Sequence, residues 1–326
     1  MKKVIIVSLF CAAVMLLLPL SVIKTDFKTL STTAIQKDTV KKIKPATYST
    51  SFKVLNCEDN TITEMKTADY IFGVIAAEMP ALYETEALKA QAVAAYTFAL
   101  NRKAENSDKN YDITNDHTID QSFITEEKAR ENWGNNADTY CEKIKKAVNE
   151  AGSYVILHNG KIITSVYHAI SSGKTEDSNN VWGVALPYLK SVSSVGDTLA
   201  NKYISKAEFS FSELKEKLNT IADIEDNKQN IFQDIVKTES GTVKTVTVGD
   251  EKTSGAKIRN ALNLRSSCFD VSYTNEKYIF TVYGYGHGVG MSQNGANYMA
   301  KQGFDFKEIL THYYTDCTVE KSNTKP

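Results

Sequence analysis

Lys2 and Lys3 precede an almost unbroken apolar run from Val4 to Ile23, and this run constrains the chain more than any other feature. An α-helix needs about 20 apolar residues to cross the hydrocarbon core of a bilayer. The lysines stay on the cytoplasmic side, which sends everything after residue 23 outward. A cleaved signal peptide competes with this reading, but residues 19–23 lack the small-x-small pattern that signal peptidase favours. An uncleaved, single-pass anchor over 1–23 is therefore expected. Residues 24–50 are rich in Lys, Thr and Ser without apolar periodicity and read as a flexible tether. From Ser51 the patterning is regular. Residues 51–326 are expected to form an extracytoplasmic α+β domain of mixed helices and β-hairpins, in one lobe or two.

Charge and cysteine usage narrow the function classes. With 38 basic and 39 acidic residues the net charge is -1, so no overall field draws the chain to nucleic acid. Of five cysteines, Cys11 lies in the apolar run; Cys57, Cys141, Cys268 and Cys317 are far apart and form no CxxC pair. Four exported cysteines allow three pairings, and buried free thiols fit the spacing equally well.

Thr67 to Pro80 reads as a helix, with Thr67 or Asp69 as its cap and Pro80 as its stop. Ile71, Val74, Ile75 and Glu78 follow the i, i+3, i+4, i+7 series, which puts a carboxylate on the buried stripe. Desolvation raises the pKa of such a group and suits it to general acid catalysis. A structural pairing for Glu78 fits the spacing equally well. Thr85 to Asn101 reads as a second helix rich in alanine, with Gln91 on its packed side, placed there either for structure or to bind a sugar hydroxyl.

Ser153–His158 and Lys161–His168 flank Asn159-Gly160, a strong hairpin signal. Tyr167 and His168 lead into Ser171 and Ser172, a run of hydroxyls suited to a cleft rim or to an ordinary turn. A second hairpin is expected over Asp234–Glu239 and Thr242–Val248, then a helix over Ala256–Leu262 and a strand over Tyr278–Tyr283. Gly284, Gly286, Gly288 and Gly290 alternate around His287, followed by Ser292 and Gln293 at the start of a helix. This spacing is neither a dinucleotide fingerprint nor a phosphate loop. It fits a polar site wall or a glycine-rich turn whose His caps the helix. Asp116, His117 and Asp120 are only a weak metal signal, no HExxH or GxSxG motif occurs, and neither a metal nor a cofactor is expected.

At these residues the chain resembles the stage II sporulation protein D family of lytic transglycosylases, with amidase-enhancer proteins as a related branch. The likeness runs from about Thr61 to Thr318 and rests on Gly73 through Pro80, Glu86 through Ala95, and Gly284 through Ala296. It implies cleavage of the β-1,4 bond between N-acetylmuramic acid and N-acetylglucosamine in septal peptidoglycan during engulfment, with Glu78 as the acid. It also implies a preference for peptide-free strands. The partners it implies are a cell-wall amidase and the membrane proteins of the engulfment complex. Supporting sugar contacts are expected from Gln91, Tyr167, His168, Ser171, Ser172, His287, Ser292 and Gln293. The chain departs from the pattern at Tyr96, where the family usually carries Arg, and at Ser172-Gly173, where Gly-Gly is common. Some members bind zinc near the segment matching Asn115–Phe123; this chain has no Cys there, so the zinc is not carried over.

Overall fold

The computed structural model describes residues 50–116, 118–224 and 231–322. The anchor over 1–23 and all but the last residue of the tether over 24–50 lie outside these. Among the described residues no helix is long and apolar enough to cross a membrane.

Strands β1 (Ser51–Leu55) and β2 (Ile62–Lys66) pair antiparallel and lead directly into helix α1 (Thr67–Glu78). The helix starts without a side-chain cap, so the expected role of Thr67 or Asp69 is not taken up. It stops at Met79, which is extended (φ -125, ψ 141), as the residue before a proline prefers. Helix α2 (Thr85–Glu105) runs one turn further than its periodicity indicates. Ala87, Ala90, Ala92, Ala94, Ala95 and Ala99 are all buried on it. Their small side chains let α1, a later helix over Ala137–Ala151 and the C-terminal helices pack closely around it. Tyr96 is buried in this core, its ring edge-on to Phe52.

Strand β3 (Ile113–Thr114) joins β1 in parallel. A pair of helices follows, α3 (Glu126–Trp133) and α4 (Ala137–Ala151). The Asn159-Gly160 hairpin forms, with both residues at positive φ, but its second strand is short. Within the hairpin, strand β4 (Tyr154–His158) is matched by a partner strand of two residues, β5 (Lys161–Ile162). Side-chain bonds then pull the chain away, Thr164 accepting from Asn101 and Ser165 donating to the Ala94 carbonyl. Tyr167–His168 become a separate strand, β6, so the expected run to His168 is broken.

A second hydrophobic core belongs to residues 204–283. It gathers Leu214, Phe232, Val246, Ile258, Phe269 and Phe280 from two three-stranded sheets and two helices. One sheet is β7 (Ile204–Ser210) with β11 (Phe269–Thr274) and β12 (Lys277–Tyr283). The other is β8 (Phe232–Lys237), β9 (Val243–Val248) and β10 (Glu251–Thr253). The helices are Phe211–Leu218 and Gly255–Leu262. Both cores lie within one compact α+β unit, the expected fold class. Cys57, Cys141, Cys268 and Cys317 are free thiols, and only Cys57 is exposed.

After β12 the chain crosses back to the first core. Strand β13 (Met291–Ser292) pairs in parallel with β6, and Ser292 caps the helix Gln293–Lys301 through its side chain. Helix Phe306–Tyr313 and strand β14 (Cys317–Lys321), which pairs with β4, complete the unit.

Candidate active site

Glu78 is the last residue of α1 and is half-buried, whereas Ile71, Val74 and Ile75 on the same stripe are enclosed. Its position at the helix end explains the difference, because the turn at Met79-Pro80 opens one side of the carboxylate. Oε1 accepts a hydrogen bond from the Ser122 backbone N–H at 3.0 Å. Oε2 takes none from the described residues, so half of the carboxylate is held and half is available.

The segment that supplies Ser122 is fixed by two features of the sequence. Gly73 lets it lie directly on α1, with the Phe123 ring stacked on Tyr70 at 5.7 Å. Arg102, buried on α2, pairs with Asp120 at 2.6 Å, and Asp120 also accepts from the backbone and hydroxyl of Thr114 at 2.8 Å each. Gln121 comes next and is buried. Its oxygen accepts from the Tyr167 hydroxyl at 2.8 Å, and its nitrogen donates to the Tyr70 hydroxyl at 3.1 Å. The chain Tyr167–Gln121–Tyr70 was not anticipated from the sequence, where residues 115–121 carried only a weak metal signal. Asp116 and Asp120 are engaged in the turn itself, and His117 lies outside the described residues.

Tyr167 lies within the field of Glu78. Burial, then the Glu78 charge, push its pKa far above the ordinary phenol value, so it stays a neutral hydroxyl. The Gln91 amide approaches that hydroxyl, and Gln293 donates to the Gln91 oxygen at a long 3.5 Å. The Gln91 nitrogen is buried without a hydrogen bond among the described residues and keeps an unspent donor there. Gln91, Tyr167 and Gln293 are thus brought together near Glu78 from three distant parts of the chain.

The two histidines behind Tyr167 are neutral. His168 Nδ1 donates to the Val289 carbonyl at 3.1 Å, which leaves Nε2 buried and without a partner among the described residues. His287 Nδ1 accepts from the Val289 N–H at 3.1 Å, so its proton is on Nε2, which is directed to the Tyr167 carbonyl. Burial, followed by the neighbouring His168 and Arg259, pushes the His287 pKa down to about 3. Its ring contacts Trp182 at 5.2 Å between centroids. The histidine therefore braces the glycine turn against β6. All four glycines of that turn have positive φ, and a Cβ on Gly290 would stand 2.1 Å from the Val166 carbonyl oxygen.

Ser171 and Ser292 take a different part. Both are buried and both donate to the fully buried Asp197, at 2.6 and 2.8 Å. Ser194, Asn294 and the Ser171 N–H complete the shell of that carboxylate. Their hydroxyls tie three loops together. Ser172 donates to the carbonyl of Ser240, in the turn between β8 and β9.

Comparison with known proteins follows the same residues. A family model described as stage II sporulation protein matches residues 55–158, which include Glu78, Gln91 and Gln121. Stage II sporulation protein D of Bacillus amyloliquefaciens is 32% identical over 277 residues, 84% of this chain and 80% of its own length. That of Bacillus subtilis (strain 168) is 29% identical over 328 residues, covering 97% and 95%. The amidase enhancer of the same organism is more distant, 24% identical over 298 residues, 76% of this chain and 40% of its own. At this identity and coverage, the chain belongs to the stage II sporulation protein D family.

Proposed function

We propose that this protein is a lytic transglycosylase that cleaves the β-1,4 bond between N-acetylmuramic acid and N-acetylglucosamine in peptidoglycan during sporulation. The observation that carries the reading is the half-held carboxylate of Glu78, with Oε1 fixed by Ser122 and Oε2 free of partners among the described residues. Protonated Glu78 gives its proton to the glycosidic oxygen as the C1–O bond breaks. The resulting carboxylate takes the proton of the muramic C6 hydroxyl, whose oxygen closes on C1 to form the 1,6-anhydro ring. Proton and bond counts balance, and no water is consumed.

A hydrolase needs a second carboxylate to activate water or to act as nucleophile. Glu84, Glu86 and Asp112 are the candidates for that second acid, and two of them are already committed. Glu86 pairs with Lys89 at 2.7 Å and accepts from the Phe306 N–H. Asp112 pairs with Lys103 at 2.8 Å and accepts from the Lys53 N–H. Glu84 is exposed at the start of α2. This favours the one-carboxylate reaction, in which the substrate's own hydroxyl replaces water.

The same reading has the protein anchored by residues 1–23 with its catalytic domain outside the cytoplasm. It acts on strands that a partner amidase has stripped of peptides, alongside membrane proteins of the engulfment complex. The likeness to an amidase enhancer supports a second reading, a glycan-binding module that stimulates the amidase without cutting. Mass spectrometry of products from full-length protein and peptide-free strands separates these. Anhydro-muramic ends that vanish in Glu78→Gln are expected. Reducing ends would replace the proposal by hydrolysis, and binding without cleavage would replace it by the stimulating module.

A further inference from the structure

Glu176, on the loop that follows β6, is only 2% exposed. Withdrawing a carboxylate from water is costly unless its oxygens find donors. Glu176 has four. Oε1 accepts from the Asp177 N–H and from the Asn180 amide, both at 2.9 Å. Oε2 accepts from the Thr238 hydroxyl at 2.6 Å and from the Ser240 hydroxyl. Thr238 and Ser240 lie in the turn between β8 and β9, on the edge of the second core. One half of this carboxylate thus fixes its own loop, and the other half grips a turn more than sixty residues away.

The backbone of the same residue holds the glycine turn. The Glu176 N–H donates to the Gly288 carbonyl at 2.7 Å, and Glu176 bridges in parallel to Val289. On the other side of that segment lies β6. His168 donates to the Val289 carbonyl, and Met291 and Ser292 pair with Tyr167 and His168. Residues 288–292 are therefore held between Glu176 and β6. Hydrogen bonds continue the connection: the Tyr167 hydroxyl donates to the Gln121 oxygen at 2.8 Å, and the next residue, Ser122, donates to Glu78 Oε1 at 3.0 Å.

A segment with glycine at positions 284, 286, 288 and 290, all at positive φ, has few side chains with which to fix itself. Its place must be set by neighbours, and groups that support a site in this way decide how well its geometry is held. Resting on the function proposed above, we infer that Glu176 is a positioning residue for glycan cleavage. It fastens the glycine turn, and through that turn β6 and Tyr167, to the β8–β9 turn of the second core. The second core thereby bears on a reaction whose acid lies in the first.

The kinetic test uses full-length protein and peptide-free glycan strands. Glu176→Ala removes the clasp from one side. Thr238→Val together with Ser240→Ala removes it from the other and leaves the loop after β6 intact. Each protein is expected to lose about tenfold in kcat with KM changed by less than about twofold, since a displacement near 1 Å at a catalytic group costs up to about 100-fold. The triple variant should be no slower than Glu176→Ala, because both changes remove one contact. Glu176→Gln recovers most of the rate, as the two hydroxyls can turn to accept from its amide.

NMR of nitrogen-labelled histidine supplies a second readout. His287 Nδ1 accepts from the Val289 N–H, next to the Glu176 bridge. Its signal is expected to shift in the folded Thr238→Val and Ser240→Ala protein, whose changes lie outside the glycine turn. Parent-like kcat in folded variants that have only lost thermal stability overturns the positioning role, as do rate losses that multiply in the triple variant. A parent that cuts no glycan overturns the function proposed above, and the histidine signal then decides the clasp alone. A shift keeps it, and an unchanged signal removes it.

Discussion

Gly73 and Phe123 share one packing space: a Cβ on Gly73 would stand 2.3 Å from Cε2 of Phe123 and 2.5 Å from the Ile124 carbonyl oxygen. The Ile124 N–H in turn donates to the Gly73 carbonyl at 3.3 Å. A single missing methyl thus allows the segment holding the Ser122 N–H to rest against the helix that ends in Glu78.

Gly73→Ala must push that segment outward. Overpacking of this kind costs about 1–3 kcal/mol, and a displacement near 1 Å at a catalytic group can cost about 100-fold in rate. Glycan cleavage by Gly73→Ala is expected to fall by at least about tenfold, with a lower melting temperature. Normal turnover in a fully stable variant would show that the contact between Ser122 and Glu78 does not position the acid.

Gln121 connects the Tyr167 and Tyr70 hydroxyls. Gln121→Leu leaves both buried phenols short of a partner, which costs about 1–3 kcal/mol for each unsatisfied group. The expected kinetic signature is a reduced kcat with little change in KM, since Tyr167 moves relative to Glu78 while the outer cleft is preserved. An unchanged kcat per folded molecule, with the loss confined to the melting temperature, would assign Gln121 to general stability alone.

The Arg102–Asp120 pair is enclosed on both sides, so breaking one partner strands a charge. Arg102→Met is expected to destabilise the fold by about 3–5 kcal/mol in urea unfolding. Arg102→Met with Asp120→Leu should recover a large part of that loss. If the single variant is as stable as the parent, the pair is not what ties the Thr114–Gln121 turn to α2.

His287 predicts an acid limb in stability. Its folded pKa is about 3, against roughly 6.5 in an unfolded chain. Between these values the unfolded chain binds a proton that the folded one excludes, so stability is full above pH 6.5 and falls as the pH falls toward 3. Burial lowers the His168 pKa in the same direction. Each histidine contributes a slope of at most about 1.4 kcal/mol per pH unit. Urea titrations from pH 7 to 4 should show a shallower decline for His287→Gln; parallel curves would remove His287 as a cause.

Local patterning made much of this legible. The i, i+3, i+4, i+7 series set α1 and the position of Glu78, Asn159-Gly160 set a hairpin, and the alternating glycines marked a turn against β6. Gln121 and Asp197 were not legible, because each acts through partners brought near by long-range folding. The shortened hairpin was hidden for a similar reason: Thr164 and Ser165 are bound by α2, which no strand pattern encodes. Ser171 and Ser292 have the polarity of cleft residues, but a buried carboxylate elsewhere in the chain claims their hydroxyls.

The parallel pairing of β6 with β13 also bears on when activity can arise. Gln91 and Gln293 meet across 202 positions, and His168 reaches Val289 across 121. Contacts of such high order form late, after loop closure has been paid in entropy. During vectorial synthesis the Glu78 helix emerges long before the residues that complete its surroundings. On the proposed function, a nascent or truncated chain thus carries Glu78 without its site, and glycan cleavage is withheld until almost the whole polypeptide has been made.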